Sequence, residues 1–143
     1  MKNEKIISLA SFLDVEPETI VKSEYDDDAF EIDGAEYLVL TDEEADKKAE
    51  ECIIDSLWAF NTSFILNHSH NLRVNGWNER TEKAFQEMQS SLCESANEIV
   101  KAIIDDLDDF VSDAIAEDGR GHFISFYDGE ENEQGDFYIY RTN

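Results

Sequence analysis

Apolar residues recur at helical spacing over several stretches of this chain, most clearly between Ser95 and Asp118. Steps of three and four residues predict one amphipathic helix there, capped by Ser95 and stopped by Gly119. Its apolar stripe consists of Ala96, Val100, Ile103, Leu107, Phe110 and Ala114. Its opposite face has no Lys or Arg after Lys101 and carries Glu98, Asp105, Asp106, Asp108, Asp109 and Asp113.

The same spacing predicts further helices earlier in the chain. A first helix carries Ile6, Leu9 and Leu13, and Pro17 opens a short second one. Thr41 and Glu44 have the spacing of a capping box, so a helix is expected from residue 42. Its core line is Ala45, Ala49, Ile53, Leu57 and Phe60, and its outer side carries Glu44, Glu51 and Asp55. Residues 78–92 form another predicted helix, whereas residues 61–77 have the Asn, Ser and Gly content of a loop.

Two aromatic and β-branched regions predict hairpins. Phe30–Leu40 places Asp33 and Gly34 between two strands. HFISFY (residues 122–127) and DFYIYRT (136–142) predict a second hairpin around an acidic loop that contains Glu130, Glu131 and Glu133. Because helices and hairpins are segregated along the chain, the expected fold is α+β, with an antiparallel sheet of about four strands against four or five helices. The length predicts a single acidic domain over residues 1–143.

The net charge limits the classes of partner that the chain is expected to bind. The 35 acidic and 11 basic residues give a net charge of −24. This charge disfavours DNA, RNA and anionic membranes as partners and favours basic surfaces. The same argument weighs against DNA reading by Leu9–Ile20, a segment with helix-turn-helix character, because its second helix is acidic. Cys52 and Cys93 lack metal-type spacing and are expected to be small buried hydrophobes in a reducing cytoplasm.

Residues suited to catalysis or metal binding are sparse. His68 and His70 form an HxH pair without further ligands nearby, and His122 lies at the start of a predicted strand. No P-loop or EF-hand spacing occurs. The expectation is therefore a non-enzymatic protein without a metal or cofactor.

Carboxylates held in fixed positions on a helix can imitate the phosphates of DNA. Residues three or four apart on a helix are neighbours, so Glu98, Asp105 and Asp109 are expected to form a row of negative charge like a row of DNA phosphates. A protein of this kind occupies the basic groove of a nucleic-acid-binding protein. The predicted partner-binding residues are Glu44, Glu51, Asp55, Glu98, Asp105, Asp106, Asp108, Asp109, Asp113, Glu130, Glu131 and Glu133.

Three segments also carry a resemblance. EYLVLTDEEAD (36–46), SLWAF (56–60) and DGRGHFISFYDGEENE (118–133) resemble segments of small acidic proteins of unassigned function encoded by phages and prophages. The resemblance implies an inhibitor of host defence, of the anti-restriction or anti-CRISPR kind, acting in the host cytoplasm. It implies no functional residue.

Two other hypotheses stay open. The chain is alternatively a structural or adaptor protein that binds through the less acidic loop His68–Trp77 or the aromatic strand Phe137–Tyr140. It is alternatively a small metal-dependent enzyme that uses His68, His70 or His122. A halophilic origin would also account for the acidity. The target, the oligomeric state and the contiguity of the acidic clusters are not determined by the sequence.

Overall fold

The computed structural model describes residues 3–143. In chain order the α-helices are α1 (Glu4–Leu13), α2 (Asp42–Asp55), α3 (Thr62–Asn67), α4 (His70–Val74), α5 (Glu79–Leu92), α6 (Asn97–Ile103), α7 (Leu107–Asp118) and α8 (Arg120–Ile124). The strands are β1 (Val21–Lys22), β2 (Ala29–Ile32), β3 (Ala35–Leu40), β4 (Asn132–Gln134) and β5 (Phe137–Arg141). Short 3-10 helices span Pro17–Thr19, Leu57–Ala59 and Cys93–Ala96. The fold is α+β, as the sequence predicts.

The chain divides into two compact units. One comprises Met1–Ala49 with Asp118–Asn143, and the other comprises Glu50–Glu117. The assignment of one domain to residues 1–143 stays a prediction.

The first unit contains an antiparallel five-stranded sheet in the order β1-β2-β3-β5-β4. The β2–β3 hairpin turns at Asp33 and Gly34, as predicted, and their φ values of 50° and 82° are those of a type I′ turn. Leu9 and Ala10 of α1 pack in one core with sheet residues. That core also contains Ile20, which precedes β1, and the sheet residues Phe30, Tyr37, Val39 and Ile139.

The second hairpin differs from its prediction. HFISFY is not a strand: residues 120–124 form α8, where Gly121 and Ile124 are buried at helical spacing. The strand that forms a hairpin with β5 is instead β4, which lies inside the stretch predicted as an acidic loop. The hairpin closes through the two residues after Gln134, with Gly135 at a φ of 62°. Tertiary packing has overridden the β-propensity of HFISFY.

Close backbone packing explains why residue 121 of α8 is glycine. A Cβ atom added at Gly121 would lie 2.5 Å from the Gly129 carbonyl oxygen and 2.9 Å from the Glu131 nitrogen. Only glycine therefore allows the chain after α8 to fold back against it. His122, predicted at a strand start, is an exposed helical residue.

The second unit is helical, and its predicted long helix is wrong. The stretch Ser95–Asp118 is a 3-10 turn, α6 and α7, separated by residues 104–106. Ile104 has extended backbone angles, and the Asp105 N–H donates to the His68 carbonyl at 2.8 Å. Ser95 caps nothing, because the N-cap of α6 is Ala96, without a side-chain hydrogen bond. Gly119, at a φ of 83°, follows α7 as predicted.

Three further sequence predictions fail. The expected loop at residues 61–77 contains α3 and α4, whose first turns are capped by the Asn61 and Ser69 side chains. The helix that starts at residue 42 ends at Asp55 instead of reaching Phe60, and a 3-10 turn follows. Cys93 is exposed and Cys52 is half-buried, so neither is the buried thiol that was expected.

Candidate functional site

The strongest acidic face lies on α7. Phe110, Val111 and Ala114 of this helix are buried, which turns the other side toward solvent. That exposed side carries Asp108, Asp109, Asp113 and Glu117. Glu117 was missed in the sequence reasoning, although it continues the Asp109–Asp113 spacing by one more turn.

The charge on this face is dense. Nine residue steps separate Asp108 from Glu117, which is about 14 Å of helix axis at 1.5 Å per residue. Four carboxylates over that length leave intervals of one, four and four residues, so their mean axial spacing is about 4.5 Å. This is of the same order as the one phosphate per about 3.4 Å on a DNA strand. No Lys or Arg occurs between Lys101 and Arg120 in the sequence.

The end of α7 carries charge against its own stability. Glu117 and Asp118 occupy the last turn, which contains no basic residue. Negative charge at a helix C-terminus opposes the helix dipole, at a cost of about 0.3–1 kcal/mol for an exposed group. Asp108 and Asp109 in the first turn have the favourable sign. The acidity of the last turn therefore does not serve the stability of this helix.

Asp105 and Asp106 do not extend that row. The Asp105 carboxylate accepts the His70 N–H at 2.9 and 3.1 Å. The Asp106 carboxylate accepts the N–H groups of Asp108 and Asp109 at 3.0 and 3.2 Å, which makes Asp106 the cap of α7. The predicted line through Glu98, Asp105 and Asp109 on one helix is therefore wrong. An Asp ahead of an acidic first turn is the sequence signal that identifies this cap.

Asp113 has an internal partner. Its carboxylate lies 2.9 Å from His68 Nε2, and the His68 side chain is only 12% exposed. The His68 ring packs at 5.2 Å from the rings of Phe64 and Phe110. Packing against these rings therefore holds the His68 side chain in contact with Asp113.

The remaining acids predicted in the second unit lie on other helices. Glu98 is exposed on α6, where Lys101 follows three residues later. Glu51 and Asp55 are exposed on α2, and Lys47 precedes Glu51 by one turn. These faces carry mixed charge, in contrast to α7.

In the first unit, Glu131 belongs to an internal cluster around Arg120. The Arg120 side chain is 11% exposed, and its Nε donates to Glu131 at 2.8 Å. Its Nη1 donates to the carboxylates of Asp42 at 2.9 Å and Asp46 at 3.0 Å. Burial opposes the charge of Arg120, but these hydrogen bonds outweigh burial and raise the pKa of the guanidinium. Burial and a short hydrogen bond to Glu131 both raise the pKa of the Tyr140 phenol.

Glu44 also has a structural role. Its carboxylate accepts the Thr41 N–H at 2.8 Å while its own N–H donates to the Thr41 hydroxyl at 3.2 Å, which confirms the capping box. Lys5 Nζ lies 2.8 Å from Glu44 and 2.6 Å from Asp28. Partial burial opposes the charged form of Glu44, but the hydrogen bonds from Lys5 and Thr41 outweigh it, so its pKa is lowered.

Glu130 and Glu133 are more accessible. Both are exposed, and Glu133 lies in β4 opposite Tyr138. Across residues 3–143 the ion pairs engage eight acidic side chains, against 35 acids in the chain. Most of the carboxylates described by the structure therefore face solvent without a basic side chain in contact.

The two surfaces behind the adaptor hypothesis are occupied in part, although residues 73–76 of the loop are exposed. In β5, Ile139 and Tyr140 are fully buried, so the aromatic strand belongs to the core. The Trp77 ring packs edge-on against Phe85 at 5.8 Å. Arg73 donates to two backbone carbonyls of α3, at 2.6 and 3.0 Å.

The described part of the chain contains no assembled set of metal ligands. No group of three or more His, Cys, Asp or Glu side chains between residues 3 and 143 is placed to hold an ion. His70 and His122 are exposed, whereas His68 contacts Asp113.

A comparison with protein families, with curated proteins and with solved structures found no match for this chain. Among residues 3–143, no helix combines the length and the apolar character that crossing a bilayer requires.

Proposed function

We propose that this chain is a non-enzymatic inhibitor that binds a nucleic-acid-binding protein by imitating DNA phosphates. The observation that carries the proposal is the exposed side of α7, where Asp108, Asp109, Asp113 and Glu117 present carboxylates at a mean axial spacing of about 4.5 Å. A helix anchored by buried residues holds these charges in fixed positions, so a partner recognises their spacing as well as their sign.

The expected target is a protein with a basic groove built for DNA or RNA. Long-range attraction between the groove and a chain of net charge −24 speeds association, and salt screens it over a Debye length of about 8–10 Å. The resemblance of three segments to phage and prophage proteins favours a restriction or CRISPR nuclease of the host as that target. The proposed place of action is the host cytoplasm.

A competition assay tests the proposal. Labelled duplex DNA is bound to purified restriction endonucleases and guide-loaded CRISPR nucleases, and its displacement by the chain is followed by fluorescence anisotropy at about 50 mM and about 300 mM salt. Displacement that weakens at the higher salt supports the proposal. A chain that leaves DNA bound to every protein of the panel at the lower salt refutes it.

A pair of triple variants assigns any displacement to α7. The test variant is Asp108→Asn, Asp109→Asn and Glu117→Gln. The control removes three exposed acids from other helices of the same unit by Glu50→Gln, Glu87→Gln and Glu94→Gln. Both variants change the net charge equally, so only a spacing-dependent contact distinguishes them. We expect about a tenfold or greater loss of competition for the α7 variant and a much smaller one for the control; equal losses would show that only total charge matters.

A further inference from the structure

Two neighbouring aromatic side chains are exposed on the turn that follows α8. Phe126 is 80% exposed and Tyr127 is 55% exposed. Single exposed apolar residues are ordinary, but two adjacent aromatic rings at the tip of one turn form a small apolar projection. Residues 125–130 are called the aromatic turn below.

Hydrogen bonds hold the aromatic turn in place. Ser125 is 3% exposed, and its N–H donates to the Gly121 carbonyl at 2.8 Å. Its hydroxyl lies 2.6 Å from the Arg141 carbonyl oxygen and 2.9 Å from Asp128 Oδ1. The same Asp128 oxygen accepts the Glu130 N–H at 3.0 Å. Because the turn is ordered in advance, a partner does not have to order it on binding.

The two rings are not equivalent. The Arg141 guanidinium lies over the Tyr127 ring, 3.7 Å from its centroid, which fixes that ring and covers one of its faces. Phe126 remains the more exposed of the two. Large aromatic side chains that enter a pocket on the partner are common anchors of protein interfaces, so Phe126 is the natural anchor.

The charge around the turn selects the partner. Asp128 and Glu130 are exposed beside the rings. A second copy of a chain with a net charge of −24 would bring like charges together, and nucleic acid or anionic lipid would be repelled. A protein with an apolar pocket rimmed by Lys or Arg matches both the rings and the carboxylates.

We propose that the aromatic turn is a docking site for such a basic protein, with Phe126 buried in its pocket and Glu130 facing its rim. The inference rests on the proposed function for the partner, which is the nucleic-acid-binding protein from which the chain displaces DNA. It adds to the proposed electrostatic contact of α7 an apolar contact whose strength does not depend on salt.

The displacement assay described above also tests this docking site. Phe126→Ala is compared with Tyr25→Ala, which truncates another aromatic residue of the same unit that is 96% exposed. We expect Phe126→Ala to weaken competition about 30-fold at both salt concentrations, the size of an interface hot spot, and Tyr25→Ala to leave it unchanged. Thermal melts followed by circular dichroism should show both variants folded, because neither ring is buried.

The outcomes separate the two proposals. If Phe126→Ala competes like the unmodified chain while the α7 triple variant does not, the docking site is refuted and the proposed function stands. Equal weakening by Phe126→Ala and Tyr25→Ala also refutes it, because the effect is then not specific to the turn. If the unmodified chain displaces DNA from no protein of the panel, both proposals fail.

Discussion

Replacing Arg120 with methionine should destabilise the first unit strongly. The guanidinium joins the start of α8 to the first turns of α2, through Asp42 and Asp46, and to Glu131 before β4. It also lies over the Tyr138 ring at 4.7 Å. Methionine keeps much of the apolar stem but removes the charge, leaving three carboxylates without their shared partner.

The size of the effect follows from the exposure of each partner. Asp42 and Asp46 are 68% and 64% exposed, so each ion pair contributes about 0.5 kcal/mol. Glu131 is 31% exposed and also binds Tyr140, and an unpaired charge there costs about 2–3 kcal/mol, below the cost at a fully buried site. The total is about 3–4 kcal/mol, a large part of the roughly 5–15 kcal/mol by which domains are stable.

Urea denaturation followed by far-UV circular dichroism measures this loss. The control is Arg80→Met, which removes an exposed arginine from α5 and should change the free energy of unfolding by less than about 0.5 kcal/mol. A double-mutant cycle of Arg120→Met with Glu131→Gln should give a coupling energy of about 1–2 kcal/mol. A loss below about 1 kcal/mol for Arg120→Met, or no coupling to Glu131, would refute the central role of this guanidinium.

Three further predictions concern backbone packing, pH and the break before α7. Gly121→Ala should lower the free energy of unfolding by about 3 kcal/mol, because the new Cβ meets backbone atoms at 2.5–2.9 Å. The control Gly76→Ala, with a φ of 88° and nothing within 4 Å of the new Cβ, should cost only about 1–2 kcal/mol. Equal urea midpoints for the two variants would contradict this prediction. Glu44→Gln keeps an acceptor for the capping box but removes the charge that pairs with Lys5, so it should cost about 1 kcal/mol at pH 7 and less at pH 3. The folded-state pKa of Glu44 is lowered, so its contribution is present above the ordinary pKa and is lost as the pH falls through the lowered value. A difference from the unmodified chain that stays constant between these pH values in urea titrations would contradict the linkage. Asp106→Ala should cost about 1 kcal/mol through loss of the α7 cap, whereas Asp108→Ala should cost about half as much or less; the reverse order in thermal melts would show that α7 begins elsewhere.

Local chemistry accounts for the elements that sequence reasoning identified correctly. The β2–β3 turn needs two residues that tolerate positive φ, and Asp33 followed by Gly34 meets that need without help from the rest of the fold. Thr41 and Glu44 satisfy each other's backbone N–H groups across three residues. Both partners of each of these interactions lie within a few positions of one another in the chain, so the sequence alone is enough to predict them.

Elements that depend on distant contacts were predicted wrongly. Residues 104–106 interrupt the expected long helix because Asp105 binds backbone groups of His68 and His70, more than thirty positions earlier. The apolar periodicity continues through this break, so it contains no sign of the interruption. HFISFY has the composition of a strand, but residues 132–134 take the hairpin position next to β5 and residues 120–124 form α8.

The acidic surface shows the same division. Periodicity alone placed Asp108, Asp109 and Asp113 on the polar side of a helix, because the apolar residues between them had to be buried. It could not separate Asp108 and Asp109 from Glu44, Glu131, Asp105, Asp106 and Asp113, whose carboxylates contact groups of the protein itself. All of them are acidic residues, and only their neighbours in space differ.

The sequence by itself therefore determined the α+β class, the Thr41–Glu44 capping box, the Asp33–Gly34 turn and the excess of negative charge, since each depends on residue type and short-range spacing. The tertiary structure decided where the helices break, which segment forms a hairpin with β5, and which carboxylates bind groups of the protein itself. Those outcomes depend on contacts between positions far apart in the chain, where a hydrogen bond or a close backbone approach outweighs the local preference.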